Sequence, residues 1–227
     1  MSRTRALVLA AAVGAASTSP VVTLPGAGVT AADSRGAREA AAAEPSPGEP
    51  PRFFGLEAEG ERIVYVCDRS ASMSEPDGVP FAAAKRELLA SIEALGAGRQ
   101  FHLIFYNERQ SMFEPQGGRG RPMFADEGTL REVRRFVEAA SAAGGTRHAE
   151  AILTALRLAP DVVFLLTDAA AAHDLAADEL ERVLDRLGRA RVMVVQFGGG
   201  AGHCSPRLAR LAELSGGEYR VVEPAAE

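Results

Sequence analysis

The sequence predicts an α/β protein: a doubly wound, mostly parallel central sheet, helices on both faces, and one short antiparallel edge strand. Three observations carry this expectation. Continuous apolar runs rich in β-branched and aromatic residues recur at 63–67, 101–106, 162–166 and 192–197. Strands buried on both faces need such runs. Segments with apolar residues at helical spacing separate them. Several runs end abruptly in a polar residue, at Asp68, Asn107 and Thr167–Asp168. In α/β folds ligands gather outside the carboxyl ends of the strands, so these ends are where chemistry is expected.

The first 32 residues read as a signal peptide or N-terminal hydrophobic segment. Arg3 and Arg5 precede a small, apolar stretch at 6–16, the order of a bacterial-type export signal. That stretch is shorter than the roughly 20 residues a membrane-spanning helix needs. Export to the periplasm or cell envelope is the expectation, with a signal anchor as the alternative. Residues 33–52 are dominated by Ala, Glu, Pro and Gly without apolar periodicity, which reads as a disordered linker. The domain is expected over 53–227, with Phe53 and Phe54 pinning its entry.

Within the domain, each element has a local reason. After the first strand, Pro80 suits a first helical position, and Phe81, Ala84, Leu88, Ile92 and Leu95 mark one face, stopped at Gly96. Phe101 to Tyr106 forms the second strand, and 111–113 the short edge strand. Residues 114–121 are Gly/Pro-rich and read as a loop. Thr129-Leu130-Arg131-Glu132 has the capping-box pattern and is expected to open a helix with Val133, Phe136 and Val137 inward. After the Gly144-Gly145-Thr146 loop comes a helix carrying Ile152, Leu153 and Leu156. The third strand ends at Thr167–Asp168. Leu180, Val183, Leu184 and Leu187 mark the next helix, stopped at Gly188. After the 192–197 strand, Ser205–Pro206 reads as N-cap and first position of a helix with Leu208, Leu211 and Leu214 inward. The last strand is expected at 219–222.

Composition narrows the function. The chain has 227 residues, 47% of them apolar, and a formal charge of −5, so it buries a sizeable core and has no basic block to hold nucleic acid. It contains no tryptophan, which disfavours a base-stacking platform. Its two cysteines, Cys67 and Cys204, form no metal-type pair. Cys67 reads as a buried thiol, and sequence leaves a disulfide between the two open. The histidines 102, 148, 173 and 203 show no ligand spacing, and His148 reads as a surface residue at a helix start. The glycines at 198–200 do not follow the first strand as a dinucleotide fingerprint would, so no organic cofactor is expected.

Asp68, Ser70 and Ser72 stand at i, i+2 and i+4 after the first strand. One carboxylate and two hydroxyls are hard oxygen ligands suited to Mg²⁺ or Ca²⁺. Thr146 follows a Gly-Gly pair, and Asp168 ends a later strand. This ordered set resembles the metal-ion-dependent adhesion site of von Willebrand factor type A (vWA) domains of bacterial type, and the strand context agrees from about 62 to 222. The resemblance implies a metal site formed by Asp68, Ser70, Ser72, Thr146 and Asp168, with Mg²⁺ as the ion and Mn²⁺ or Ca²⁺ as alternatives. It implies that the hydroxyls touch the ion while the aspartates act through water. It implies a non-enzymatic module whose metal captures an Asp or Glu of a partner protein. Ala71 and Ala169 stand where the family often has glycine; alanine resists φ > 0, so a local difference in either loop is expected.

Two other readings stay open. One is a Mg²⁺-dependent, phosphatase-like hydrolase of the haloacid-dehalogenase type. Such enzymes need a second aspartate two residues after the first, and here that residue is Ser70; no lysine follows Lys85. The other is a structural vWA domain with an idle site. Arg69 reads as a solvated charge or as a steering group for an acidic partner, and Asn107 as a turn residue within reach of the metal loop.

Overall fold

The structure is a computed structural model that describes residues 50–115, 120–168, 173–198 and 204–223. The expected signal segment, most of the expected linker, Ala169 and His203 lie outside the described residues.

Arg62, which opens the first long run, starts the central strand. The runs form β3 (Arg62–Asp68), β4 (Gln100–Tyr106), β7 (Val162–Thr167) and β8 (Arg191–Phe197), with β9 (Tyr219–Val222) last. All five are parallel, in the order β4-β3-β7-β8-β9. The expected edge strand is present as β5 (Gln110–Met112), antiparallel to β4. Three short pieces went unread in the sequence. β1 (Arg52–Phe53) and β2 (Leu56–Glu57) form an antiparallel hairpin, and β6 (Met123–Phe124) pairs antiparallel with β4. Two-residue strands are too short to show alternation, so no periodicity betrays them.

The helices are α1 (Val79–Ala94), α2 (Glu127–Ala139), α3 (His148–Leu156), α4 (Ala177–Arg186) and α5 (Pro206–Leu214). They cover both faces of the sheet. Ile63, Tyr65 and Cys67 face Leu88 and Ile92 of α1 and Val133 and Val137 of α2. Val64 and Val66 face Ile152 of α3, Val183 of α4 and Leu208 of α5. Successive strand residues point to opposite faces, so each strand feeds two cores. Phe53 of β1 is fully buried in the first core, its ring edge-on to Tyr65 and Phe164. Gly217 shows how tightly α5 returns to the sheet: a Cβ there would lie 2.1 Å from the Val192 carbonyl oxygen.

Two local expectations are corrected, and a third holds in position without its side-chain bond. The N-cap of α2 is Asp126, whose carboxylate accepts from the Thr129 N–H at 2.8 Å; Thr129 lies inside the helix. Both residues are cap formers, and the acid two positions before Gly128 takes the role. Leu214 points outward, 45% exposed, and Ala212 takes the inward position. Ser205 is the N-cap of α5 and Pro206 its first residue, as expected, though the Ser205 side chain makes no cap bond. Asp174 caps that helix from another segment, accepting from the N–H groups of Arg207 at 2.8 Å and Leu208 at 3.2 Å. Cys67 is buried, Cys204 is exposed, and both are free thiols.

Candidate metal centre

β3 and β7 are neighbours in register, Cys67 opposite Leu166. Their carboxyl ends therefore bring Asp68 and Asp168 to one edge of the sheet. The chain leaves β3 for β4 on one side and reaches β7 on the other, so this edge is a topological switch point. A short 3-10 turn, Ala71–Ser74, follows β3 and folds Ser70 and Ser72 back over the strand ends.

The side chains form one continuous hydrogen-bonded set. Ser70 donates its backbone N–H to Asp68 Oδ1 at 2.8 Å. Thr167 donates its hydroxyl to Asp68 Oδ2 at 2.8 Å. Ser70 Oγ and Ser72 Oγ lie 3.1 Å apart, and Ser72 donates to Asp168 Oδ1 at 2.9 Å. Thr146 arrives on a loop strapped to the same turn by backbone bonds. Ala71 N–H reaches the Gly144 carbonyl at 2.9 Å, and Ala143 N–H reaches the Arg69 carbonyl at 2.8 Å. Asn107 braces that loop, donating to the Ala143 carbonyl at 2.6 Å and packing against Gly144, whose φ of +80° needs a glycine. Ala71 is not among the residues at positive φ. The turn therefore accepts alanine without strain.

Burial sets the electrostatics. Asp68 is fully buried, and loss of water pushes its pKa up to about 6; the Ser70 N–H and the Thr167 and Ser70 side chains pull the other way. Burial also holds Asp168 above the usual carboxylate range, against the Ser72 hydrogen bond. Two acids are thus drawn out of water at one sheet edge. Arg69, the nearest cation in sequence, turns away toward the Ser141 carbonyl and the Ser111 hydroxyl, both at 3.3 Å.

The von Willebrand factor type A domain family matches residues 61–221, from the start of β3 into β9. The chain belongs to that family. Its members are generally interaction or adhesion modules and mainly non-enzymatic. A von Willebrand factor type A structure from Catenulispora acidiphila is 23% identical, with a TM-score of 0.63 over 73% of this chain. This chain spans 39% of that one. The conserved hypothetical protein BatB from Bacteroides thetaiotaomicron is 16% identical, with a TM-score of 0.55, over 73% of this chain and 92% of its own. At these identities the likeness is one of fold. No curated protein is a significant match.

The donor set of this vWA domain fits a small, hard cation. Octahedral Mg²⁺ with oxygens at about 2.1 Å places neighbouring ligands about 3.0 Å apart. The Ser70–Ser72 and Ser72–Asp168 oxygens, at 3.1 and 2.9 Å, stand at that spacing. Among the described residues, no group of three or more His, Cys, Asp or Glu could hold a metal. A cation here would depend on hydroxyls.

A buried layer behind the site was missed in the sequence. Tyr106 lies opposite Asp68 in the β3–β4 register, and its hydroxyl bonds to Thr167 and, at 2.8 Å, to His148 Nδ1. Burial raises the Tyr106 phenol well above its ordinary value and pushes His148 down to about 4. His148 is 4% exposed, which corrects the surface reading: the first turn of α3 packs directly on the end of β4. A polar residue closing an apolar strand, as Tyr106 does, was the available signal for this layer.

Proposed function

We propose that this domain is a metal-dependent protein-binding module. Asp68, Ser70, Ser72, Thr146 and Asp168 hold one Mg²⁺, with Mn²⁺ or Ca²⁺ as substitutes, and the ion captures an Asp or Glu side chain of a partner protein. The observation that carries this reading is the pair of serine hydroxyls set beside Asp168 at the spacing of octahedral ligands. Both Asp68 oxygens already accept from protein donors, so Asp68 acts on the ion from behind, through water. The hydroxyls add no charge. The ion therefore keeps an attraction for an outside carboxylate. Hydrolysis gets little support from the site: the single lysine, Lys85, is bonded to the Glu138 and Ala140 carbonyls, and the one exposed histidine near the acids among the described residues, His173, lies close enough to act on the Asp168 charge. Arg3, Arg5 and the apolar stretch after them support export to the periplasm or cell envelope as the setting.

Pull-down from an envelope extract tests the reading, using the full chain and its Ser70→Ala/Ser72→Ala variant in Mg²⁺ or in EDTA. A partner held by wild type in Mg²⁺ and released by EDTA or by the variant is the expected outcome. Equal retention in all conditions, or phosphatase turnover abolished by Asp68→Asn, contradicts it.

A further inference from the structure

Beside the metal loop lies a cleft of about 190 Å³, between β4–β5 and the C-terminal end of α2. Phe105 and Phe136, with ring centroids 5.7 Å apart, form its apolar wall. The small side chains of Ala139 and Ala140 leave it open, and Ser141 and Arg69 close its end. Sites for small organic molecules run to about 300–1,000 Å³. This cleft is smaller and suits one side chain.

Arg69 gives the cleft its polarity. It stands between Asp68 and Ser70, so cleft and metal loop share a residue. Its two contacts are long bonds to a carbonyl and a hydroxyl, its Nε is buried without a partner, and no carboxylate pairs with it among the described residues. Such a guanidinium retains both charge and donors for an acidic ligand.

We infer that this cleft takes one apolar side chain of the partner segment whose carboxylate the metal captures, with Arg69 donating to that segment beside the acid. The inference rests on the metal-dependent reading and adds a specificity rule to it. The occupant is an extended segment of another protein, carrying an Asp or Glu at a short, fixed offset from an apolar residue. The acid supplies the energy of capture, and the apolar neighbour decides which acids are taken.

The test uses phage-displayed peptides with a fixed central Asp, selected on the full chain in Mg²⁺. The consensus peptide is then titrated against wild type, Ala139→Leu and Arg69→Gln. Ala139 is exposed at the last turn of α2, so leucine fills the cleft without entering the core. Expected are an apolar residue at one offset from the Asp, and about tenfold weaker binding both to Ala139→Leu and after alanine replaces that residue. The Mg²⁺-induced thermal shift of Ala139→Leu stays at the wild-type size. Arg69→Gln weakens the same peptide and leaves the fold intact, so a misfolded Ala139→Leu does not decide the matter. A consensus with no fixed apolar position, equal binding to both variants and wild type, or no binder at all overturns the inference. Binders that keep the apolar position, ignore EDTA and are lost in Ala139→Leu would retain the cleft and remove the metal reading.

Discussion

Asp68 bears the electrostatic cost of the site. Its carboxylate is fully buried at the end of β3, held by the Ser70 N–H and the Ser70 and Thr167 hydroxyls, with no cation paired to it among the described residues. Its pKa of about 6 in the folded, metal-free chain lies above the 3.8 of an ordinary aspartate. Between those values the folded chain holds the proton more tightly than the unfolded one. The Asp68 contribution to metal-free stability therefore falls as pH rises from about 4 to about 6 and is level above that, while buried His148, held down to about 4, contributes with the opposite sign over the same range. Asparagine keeps an oxygen for Ser70 and a donor for Thr167 without the buried charge. Asp68→Asn is expected to stabilise the EDTA-treated protein at pH 7.5 by roughly 1–3 kcal/mol, with little change at pH 4. It should also abolish any stabilisation by Mg²⁺. Urea denaturation at both pH values measures this. A variant less stable than wild type at pH 7.5 in EDTA would show that the charge is compensated. Among single residues, Asp68, Ser70, Ser72 and Asp168 were legible because each closes or follows an apolar run. The bonding roles of Thr167, Tyr106 and His148 were not, although Thr167 and Tyr106 also close apolar runs, because a residue that works through its neighbour carries no spacing of its own.

At the scale of elements, the five parallel strands and five helices were legible from length and periodicity, since each long run could satisfy only one period. Helix ends were harder. A cap is decided by which acceptor reaches the free N–H groups, and that acceptor can come from a distant segment. α5 shows this: Asp174, and not the adjacent Ser205, receives the N–H groups of Arg207 and Leu208. Asp174→Ala is expected to cost about 1–2 kcal/mol, the usual loss for a helix cap, read by chemical denaturation. Asp174→Asn should recover most of it. A loss no larger than that of Ser205→Ala would return the cap to Ser205. The β1–β2 hairpin and β6 were illegible for the opposite reason. β1 and β2 pair with each other across a tight turn and β6 pairs with the start of β4, and two residues cannot display a pattern.

For the whole molecule, sheet order does the functional work. Placing β7 beside β3 joins residues a hundred positions apart into one oxygen-lined edge, and the 143–147 loop is tied to the same turn by backbone bonds. Among the described residues no helix is long and apolar enough to cross a membrane. The fold and the meeting of the two acids could be read from strand ends; the cleft beside Arg69 could not, because it is made by two elements whose packing distance no motif records. The most direct measurement is calorimetric titration of the full chain with Mg²⁺, paired with the Ser70→Ala/Ser72→Ala variant. One ion bound per wild-type chain, with binding lost in the variant, is the predicted result. No binding heat in the wild type, or the same isotherm in both proteins, would contradict it.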